Sequence, residues 1–234
     1  MSITAEKCRI AIIGASGFLG RHLLEAMLAD SEVAEVRVLV HVTKPDVATS
    51  SKLTLVQGDL DTGEGLDVLI GRGWTVVNLA WLSSAGENEN VLAARRLAQL
   101  TVAAGASRLL HCSTAVVAGS AVNNPVTEET NCVPYSSYQR IKLSVERELQ
   151  DNIELVPLVI IRPTAIFGEG GRNLVKMVHD IRRRPSVVSW LHCCVGGRRT
   201  LNLVPVETVV AAIRYLSLSI KQTGILQLKI STLR

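Results

Sequence analysis

An α/β fold, a doubly wound parallel sheet with helices on both faces, follows from three features of the chain. Short apolar runs alternate with amphipathic helical stretches through most of the sequence. The runs are rich in Val, Ile and Leu without polar alternation, as strands covered on both faces require. And "RIAIIGASGFLGRHLLEAML", Arg9 to Leu28, joins one such run to one such helix through glycines three residues apart. With 234 residues, 47% hydrophobic and 20% charged, the chain is expected to form one domain, 1–234.

The elements follow in order. Strands are predicted at Arg9 to Ile13, Glu35 to Val40, Lys52 to Gln57, Thr75 to Ala80, Arg108 to Ser113 and Leu155 to Arg162. Between them lie helical patterns at Phe18 to Ala29, Gly63 to Ile70, Glu89 to Ala104 and Ser136 to Gln150. In the first helix Leu19, Leu23, Leu24, Met27 and Leu28 share one face. Beyond Arg162 the rhythm weakens. Gly168, Gly170 and Gly171 mark a loop, Asn173 to Arg184 reads as a helix, and Pro205 to Ser219 reads as another that Pro205 begins. These pieces are expected to form a small cap. In such a sheet ligands bind beyond the carboxyl ends of the strands, so the residues after each strand converge on one cleft.

Composition narrows the function classes. Twenty-five Lys and Arg against 21 Asp and Glu leave a net charge of +4, too small and scattered for a nucleic-acid surface. Five cysteines, Cys8, Cys112, Cys132, Cys193 and Cys194, have neither C-x-x-C nor zinc-like spacing and are expected to be reduced thiols. Neither a signal-peptide core nor an apolar run of membrane-spanning length is present, so a cytoplasmic protein is expected.

Two motifs carry chemistry. Gly14, Gly17 and Gly20 stand at a strand–helix turn, where missing side chains and free helix N–H groups favour a phosphate. Tyr138 and Lys142 lie four apart on one helical face, following the hydroxyls of Ser113 and Thr114 at a strand end. A lysine ammonium beside a phenol stabilises the phenolate, letting it exchange protons with an alcohol or carbonyl nearer neutral pH.

Taken together, "GASGFLG", "GDL" at Gly58 to Leu60, "NLAW" at Asn78 to Trp81, "STAVVAG", "YQRIK" and "IIRPTAIFGEGGRN" resemble the short-chain dehydrogenase/reductase superfamily. Their order and spacing resemble its extended branch of NAD-dependent epimerases, dehydratases and reductases acting on nucleotide sugars. The resemblance implies a Rossmann-type fold, with residues from about 165 to 234 contributing a small, shortened substrate lobe. It implies that Gly14, Gly17 and Gly20 cradle a pyrophosphate, with backbone contacts from Ala15, Ser16, Phe18 and Leu19. Asp59 and Leu60 would meet the adenine, while Leu79, Ala80, Trp81 and Pro163 would line the cofactor path. It makes Tyr138 the general acid/base, Lys142 the residue that lowers its pKa and binds the nicotinamide ribose, and Thr114 the hydroxyl that holds the substrate.

The cofactor is NAD or NADP: the end of the second strand carries His41 and then Lys44 instead of a carboxylate, and Lys44 suits the extra phosphate of NADP. Arg198 and Arg199 approximate a substrate-diphosphate site, and Thr208 stands where an aspartate is common in the family. The expected function is hydride transfer on a nucleotide sugar by a homodimer. The alternatives are a reductase of small carbonyl compounds and a noncatalytic dinucleotide-binding sensor. His111, inside a strand pattern, reads as structural.

Overall fold

The computed structural model describes residues 7–119, 126–171, 179, 201–218, 224–228 and 232–233. Its main sheet begins with β1 (Cys8–Ile13), β2 (Val33–Val40), β3 (Leu53–Gln57) and β4 (Thr75–Asn78). β5 (Arg108–Cys112), β6 (Leu158–Pro163) and β9 (Gly224–Leu228) complete it in the order β3-β2-β1-β4-β5-β6-β9, every pair parallel. β7 (Ala165–Phe167), β8 (Leu201–Pro205) and β10 (Thr232–Leu233) form a second, three-stranded sheet. The order reverses between β1 and β4, and there a Rossmann-type sheet opens its ligand crevice.

Both faces are covered as the apolar strand runs require. On one side α1 (Phe18–Ala29) and α5 (Val206–Leu218) press Leu23, Leu24, Met27, Val209 and Ile213 onto Ile10, Ile12 and Val36. On the other, α2 (Leu66–Leu69), α3 (Glu87–Ala103) and α4 (Ser137–Asn152) bring Leu66, Leu69, Leu97 and Leu149 against Ala11, Val76 and Leu109. Leu23, Leu24 and Met27 are fully buried, each contributing about 1.5–3 kcal/mol by leaving water.

The structure redraws several sequence boundaries. The helix expected over Gly63 to Ile70 is the single turn Leu66–Leu69, because Gly63 and Gly65 take positive φ of 84° and 75°. The strand expected from Leu155 starts at Leu158, after Pro157 removes a ladder donor. Pro205 closes β8, and α5 begins at Val206. Within the stretch assigned to a substrate lobe, α5 and β9 belong to the main body. Val206, Val209 and Ile213 complete the core over α1, and the short run Gly224–Leu228 gains strand identity only by pairing with β6. The helix expected at Asn173 to Arg184 lies outside the described residues apart from His179.

Polar contacts tie the α1 end to its surroundings. Lys52 Nζ donates to Leu28 O (3.2 Å) and Asp30 O (2.6 Å), placing a cation at the helix C-terminus, and Arg214 of α5 pairs with Asp30. The Arg214 guanidinium holds the Asp30 carboxyl below its ordinary pKa, against the opposing effect of burial. The folded carboxylate therefore binds its proton less tightly than the unfolded one. Its stabilisation is complete above the ordinary carboxylate pKa and is lost as pH falls through the lowered value. Asp30→Asn should reduce stability at neutral pH and flatten the acid limb of a urea-midpoint profile; a variant profile parallel to wild type would disprove this linkage.

Candidate active site

The turn from β1 to α1 sits at the crevice. Gly14 has φ +88°, a left-handed conformation that a side chain would strain, and its missing Cβ lets the backbone of Ala80 approach. A Cβ on Gly20 would overlap Gly14 O and lie 2.6 Å from Ala15 Cα, so Gly20 permits the helix to pack on the turn. Gly17 is different. A Cβ there would meet only Gly14 O, at 3.3 Å, so this glycine keeps space open in front of α1.

Gly17 is the N-cap and supplies no side-chain hydrogen bond, and the first turn of α1 has no acidic residue. Its N–H groups and positive dipole end are thus available to an anion. Ala15 is buried and offers only backbone, Ser16 is exposed, and Phe18 and Leu19 are half-buried. These features fit the pyrophosphate of a dinucleotide.

At the outer end of the crevice, His41 follows β2 and Asp59 follows β3. His41 Nε2 lies 3.6 Å from Asp59 Oδ2, and Gln57 Nε2 donates to His41 O at 2.7 Å. A carboxylate, that of Asp59 after β3, thus stands beside the end of β2. Lys44 is exposed, and Leu60 is buried.

Next to the glycine turn, Leu79 N donates to Ile13 O (2.9 Å) and Ala80 N to Asn78 Oδ1 (3.0 Å). Those bonds carry the chain after β4 past Gly14 and set Trp81 at the base of the crevice. A capping box of Ser136 and Gln139 starts α4 just before Tyr138. The Tyr138 and Trp81 rings meet edge to face, with centroids 5.3 Å apart and planes at 85°. Lys142 Nζ stands 5.4 Å from the Trp81 ring centroid and donates to Cys112 O at 3.1 Å.

Exposure separates the pair. Tyr138 is 44% exposed, whereas Lys142 is 4% exposed. Burial pushes the Tyr138 phenol above its ordinary pKa and the Lys142 ammonium below its own. The lowered tyrosine pKa expected from the lysine spacing is not seen here, since desolvation dominates while the ammonium bonds to the Cys112 carbonyl. Thr114 follows β5 with a partly exposed side chain whose Oγ1 accepts from Val116 N at 3.4 Å, capping the single turn Ala115–Ala118. Ser113 is buried, so of the two hydroxyls Thr114 is the accessible one.

One turn after Lys142, Glu146 forms a buried ion pair with Arg162 of β6. Arg162 Nε lies 3.1 Å from both carboxylate oxygens and Nη2 lies 2.5 Å from Oε2. This pair anchors α4 to the sheet directly behind the site, and Pro163 ends β6 beside it.

A family model of the NAD-dependent epimerase/dehydratase family matches residues 10–221. The chain belongs to the NAD-dependent epimerase/dehydratase family. It is 29% identical over 184 residues to N-acetyl-α-D-glucosaminyl-diphospho-ditrans,octacis-undecaprenol 4-epimerase of Escherichia coli O157:H7, covering 72% of this chain and 53% of that protein. It is 30% identical over 184 residues to ceramide reductase of Caulobacter vibrioides, covering 75% and 52%. The chain thus spans about half the length of these curated relatives. In fold it is similar to the Bordetella bronchiseptica enzyme WbmG, solved in complex with NAD, at a TM-score of 0.70 and 21% identity over 98% of this chain and 74% of that one.

For this family member the sequence singled out Tyr138, Lys142, Thr114 and the glycine turn, and the fold gathers them along one crevice. Arg198 and Arg199 lie outside the described residues, as do Cys193 and Cys194. Sequence spacing did not reveal the contact of Trp81 with both Tyr138 and Lys142, nor the Glu146–Arg162 pair. Only the i, i+4 step from Lys142 to Glu146 was available as a local signal. Among the described residues no cluster could hold a metal ion and no helix is long and apolar enough to cross a membrane.

Proposed function

We propose that this family member is an epimerase, dehydratase or reductase acting on a nucleotide sugar, with Tyr138, Lys142 and Thr114 as its acid–base set. The observation that carries the reading is the half-exposed Tyr138 phenol on the same helix face as the buried Lys142 ammonium, at the carboxyl ends of the strands. The glycine turn and the α1 N-terminus would hold the pyrophosphate of NAD or NADP, and Lys142 would reach the ribose beside the nicotinamide. Bound there, the cofactor supplies or accepts a hydride. Thr114 Oγ1 holds the substrate oxygen, and Tyr138 Oη gives or takes the proton of that oxygen. Lys142 keeps positive charge beside the phenol as it ionises. Asp59 and Leu60 would meet the adenine, and His41 at the end of β2 would lie near the adenosine ribose, with Lys44 available for an additional phosphate. A homodimer is part of the reading on resemblance.

A second reading, reduction of a carbonyl compound with an apolar body, is favoured by two observations. Val116, Val133 and Tyr135 near Tyr138 are 46%, 51% and 69% exposed, and ceramide reductase is among the relatives. The test is one assay. Purified protein is mixed with NAD, NADP and their reduced forms and offered a panel of nucleotide sugars and long-chain ketones, with absorbance at 340 nm and product followed together. Sugar conversion with cofactor returned unchanged supports an epimerase or dehydratase, and sugar conversion with net cofactor turnover supports a reductase or dehydrogenase. Turnover of ketones alone supports the second reading, and binding without conversion of any substrate counts against both.

A further inference from the structure

Behind the Tyr138–Lys142 pair lies a cavity of about 20 Å³, among whose lining residues are Trp81, Asn78, Asn90, His111, Lys142 and Leu60. It shares Leu60, Ala80, Trp81 and Lys142 with the crevice described above and extends it inward to His111 and Asn90, which have no part in the site so far. His111, on β5, is 1% exposed, and its two ring nitrogens have different surroundings. Nδ1 lies 3.2 Å from Asn78 Nδ2. The amide of Asn78 is oriented by its other end, because Oδ1 accepts from Ala80 N at 3.0 Å. Nδ2 is therefore the donor and His111 Nδ1 the acceptor, which leaves the proton of the neutral ring on Nε2. His111 Nε2 is buried without a protein partner. A buried donor left unpaired costs about 1–3 kcal/mol, so a partner of some kind is expected.

The cavity supplies the room and the chemistry for one. Space of roughly 10–15 Å³ suffices for a single water if two or more polar groups face it. Asn90, buried on α3, turns Nδ2 to Leu82 O (3.2 Å) and Gly86 O (2.8 Å), so its Oδ1 is an acceptor. Lys142 has three N–H donors and places one on Cys112 O.

We propose that one fixed water occupies this cavity, accepting from His111 Nε2–H and from Lys142 and donating to Asn90, and that His111 is thereby a positioning residue for Lys142. The water ties the ammonium to β5 and α3, fixing its height beneath Tyr138. Burial and the Lys142 charge both push the His111 pKa well below its ordinary value, consistent with a ring that stays neutral and keeps Nε2–H as donor. The role in turnover rests on the acid–base reading above, whereas the water and the tautomer do not.

The test therefore has two arms. Nitrogen-15 spectra of histidine-labelled protein, with His111 assigned by its loss in His111→Gln, should show a protonated Nε2, an accepting Nδ1 and no titration between about pH 6 and 9. A protonated Nδ1 or a ring titrating in that range overturns the proposal, as does a high-resolution crystal structure with a dry cavity. In turnover, His111→Phe should lower kcat about tenfold with KM within about twofold, a modest share of the usual acid–base contribution. His111→Gln, which keeps a donor at the Nε2 position, should recover most of it. Equal losses in the two variants overturn the positioning role. If Tyr138→Phe keeps its activity while the nitrogen signature stands, the acid–base reading fails and the water site survives.

Discussion

Tyr138→Phe should lower turnover by about 10²–10⁴-fold while leaving the fold and cofactor affinity nearly unchanged. The substitution removes one oxygen. The edge-to-face contact with Trp81 depends on the ring, which phenylalanine keeps, and the Ser136–Gln139 capping box that starts the helix is untouched. Because burial raises the phenol pKa, the reaction direction that begins by taking a proton from an alcohol should run faster as pH rises toward the alkaline range. That pH dependence should vanish in the variant. Steady-state kinetics with whichever substrate the panel identifies, alongside thermal melting, decides the matter. Residual turnover within tenfold of wild type would show that Tyr138 is not the proton carrier.

Glu146→Ala should be the most damaging single change to stability away from the aliphatic core. The Glu146 and Arg162 side chains are 1% and 6% exposed, and three contacts of 2.5–3.1 Å join them. Removing the carboxylate leaves a guanidinium buried without its counter-ion, and guanidinium does not shed its proton to escape the cost. The expected loss is about 3–5 kcal/mol, readable from urea unfolding. Replacing both partners with methionine should recover much of it, since the penalty comes from the stranded charge more than from the lost attraction. A single variant that loses less than about 1 kcal/mol would mean that Arg162 finds water or another acceptor. Because Glu146 is one turn from Lys142, the damaged protein should also lose activity before it loses its fold.

The alternation of apolar runs and amphipathic helices was enough to read the parallel sheet, because a strand buried on both faces admits little else and each helix needs one apolar side. The same local logic found the glycine turn, where Gly14 and Gly20 are dictated by backbone geometry within a few residues. Four residues of helix sufficed to align Tyr138 with Lys142. Local pattern failed where identity comes from a partner strand. Gly224–Leu228 is too short to declare itself, yet it forms the seventh strand by pairing with Val159 to Pro163 of β6.

Local pattern was thus sufficient for the fold class, the dinucleotide turn and the candidate acid–base residues, each legible from periodicity or spacing within a short stretch of chain. How those residues behave came from packing between distant segments. That packing put Trp81 against both Tyr138 and Lys142, brought Asp59 beside His41, paired Glu146 with Arg162, and left His111 with one nitrogen satisfied and the other facing a cavity. These contacts join residues far apart in the chain, and their strength depends on burial. Exclusion of water raises or lowers a pKa and makes an unpaired polar atom costly, and that exclusion exists only once the strands and helices have closed around the site.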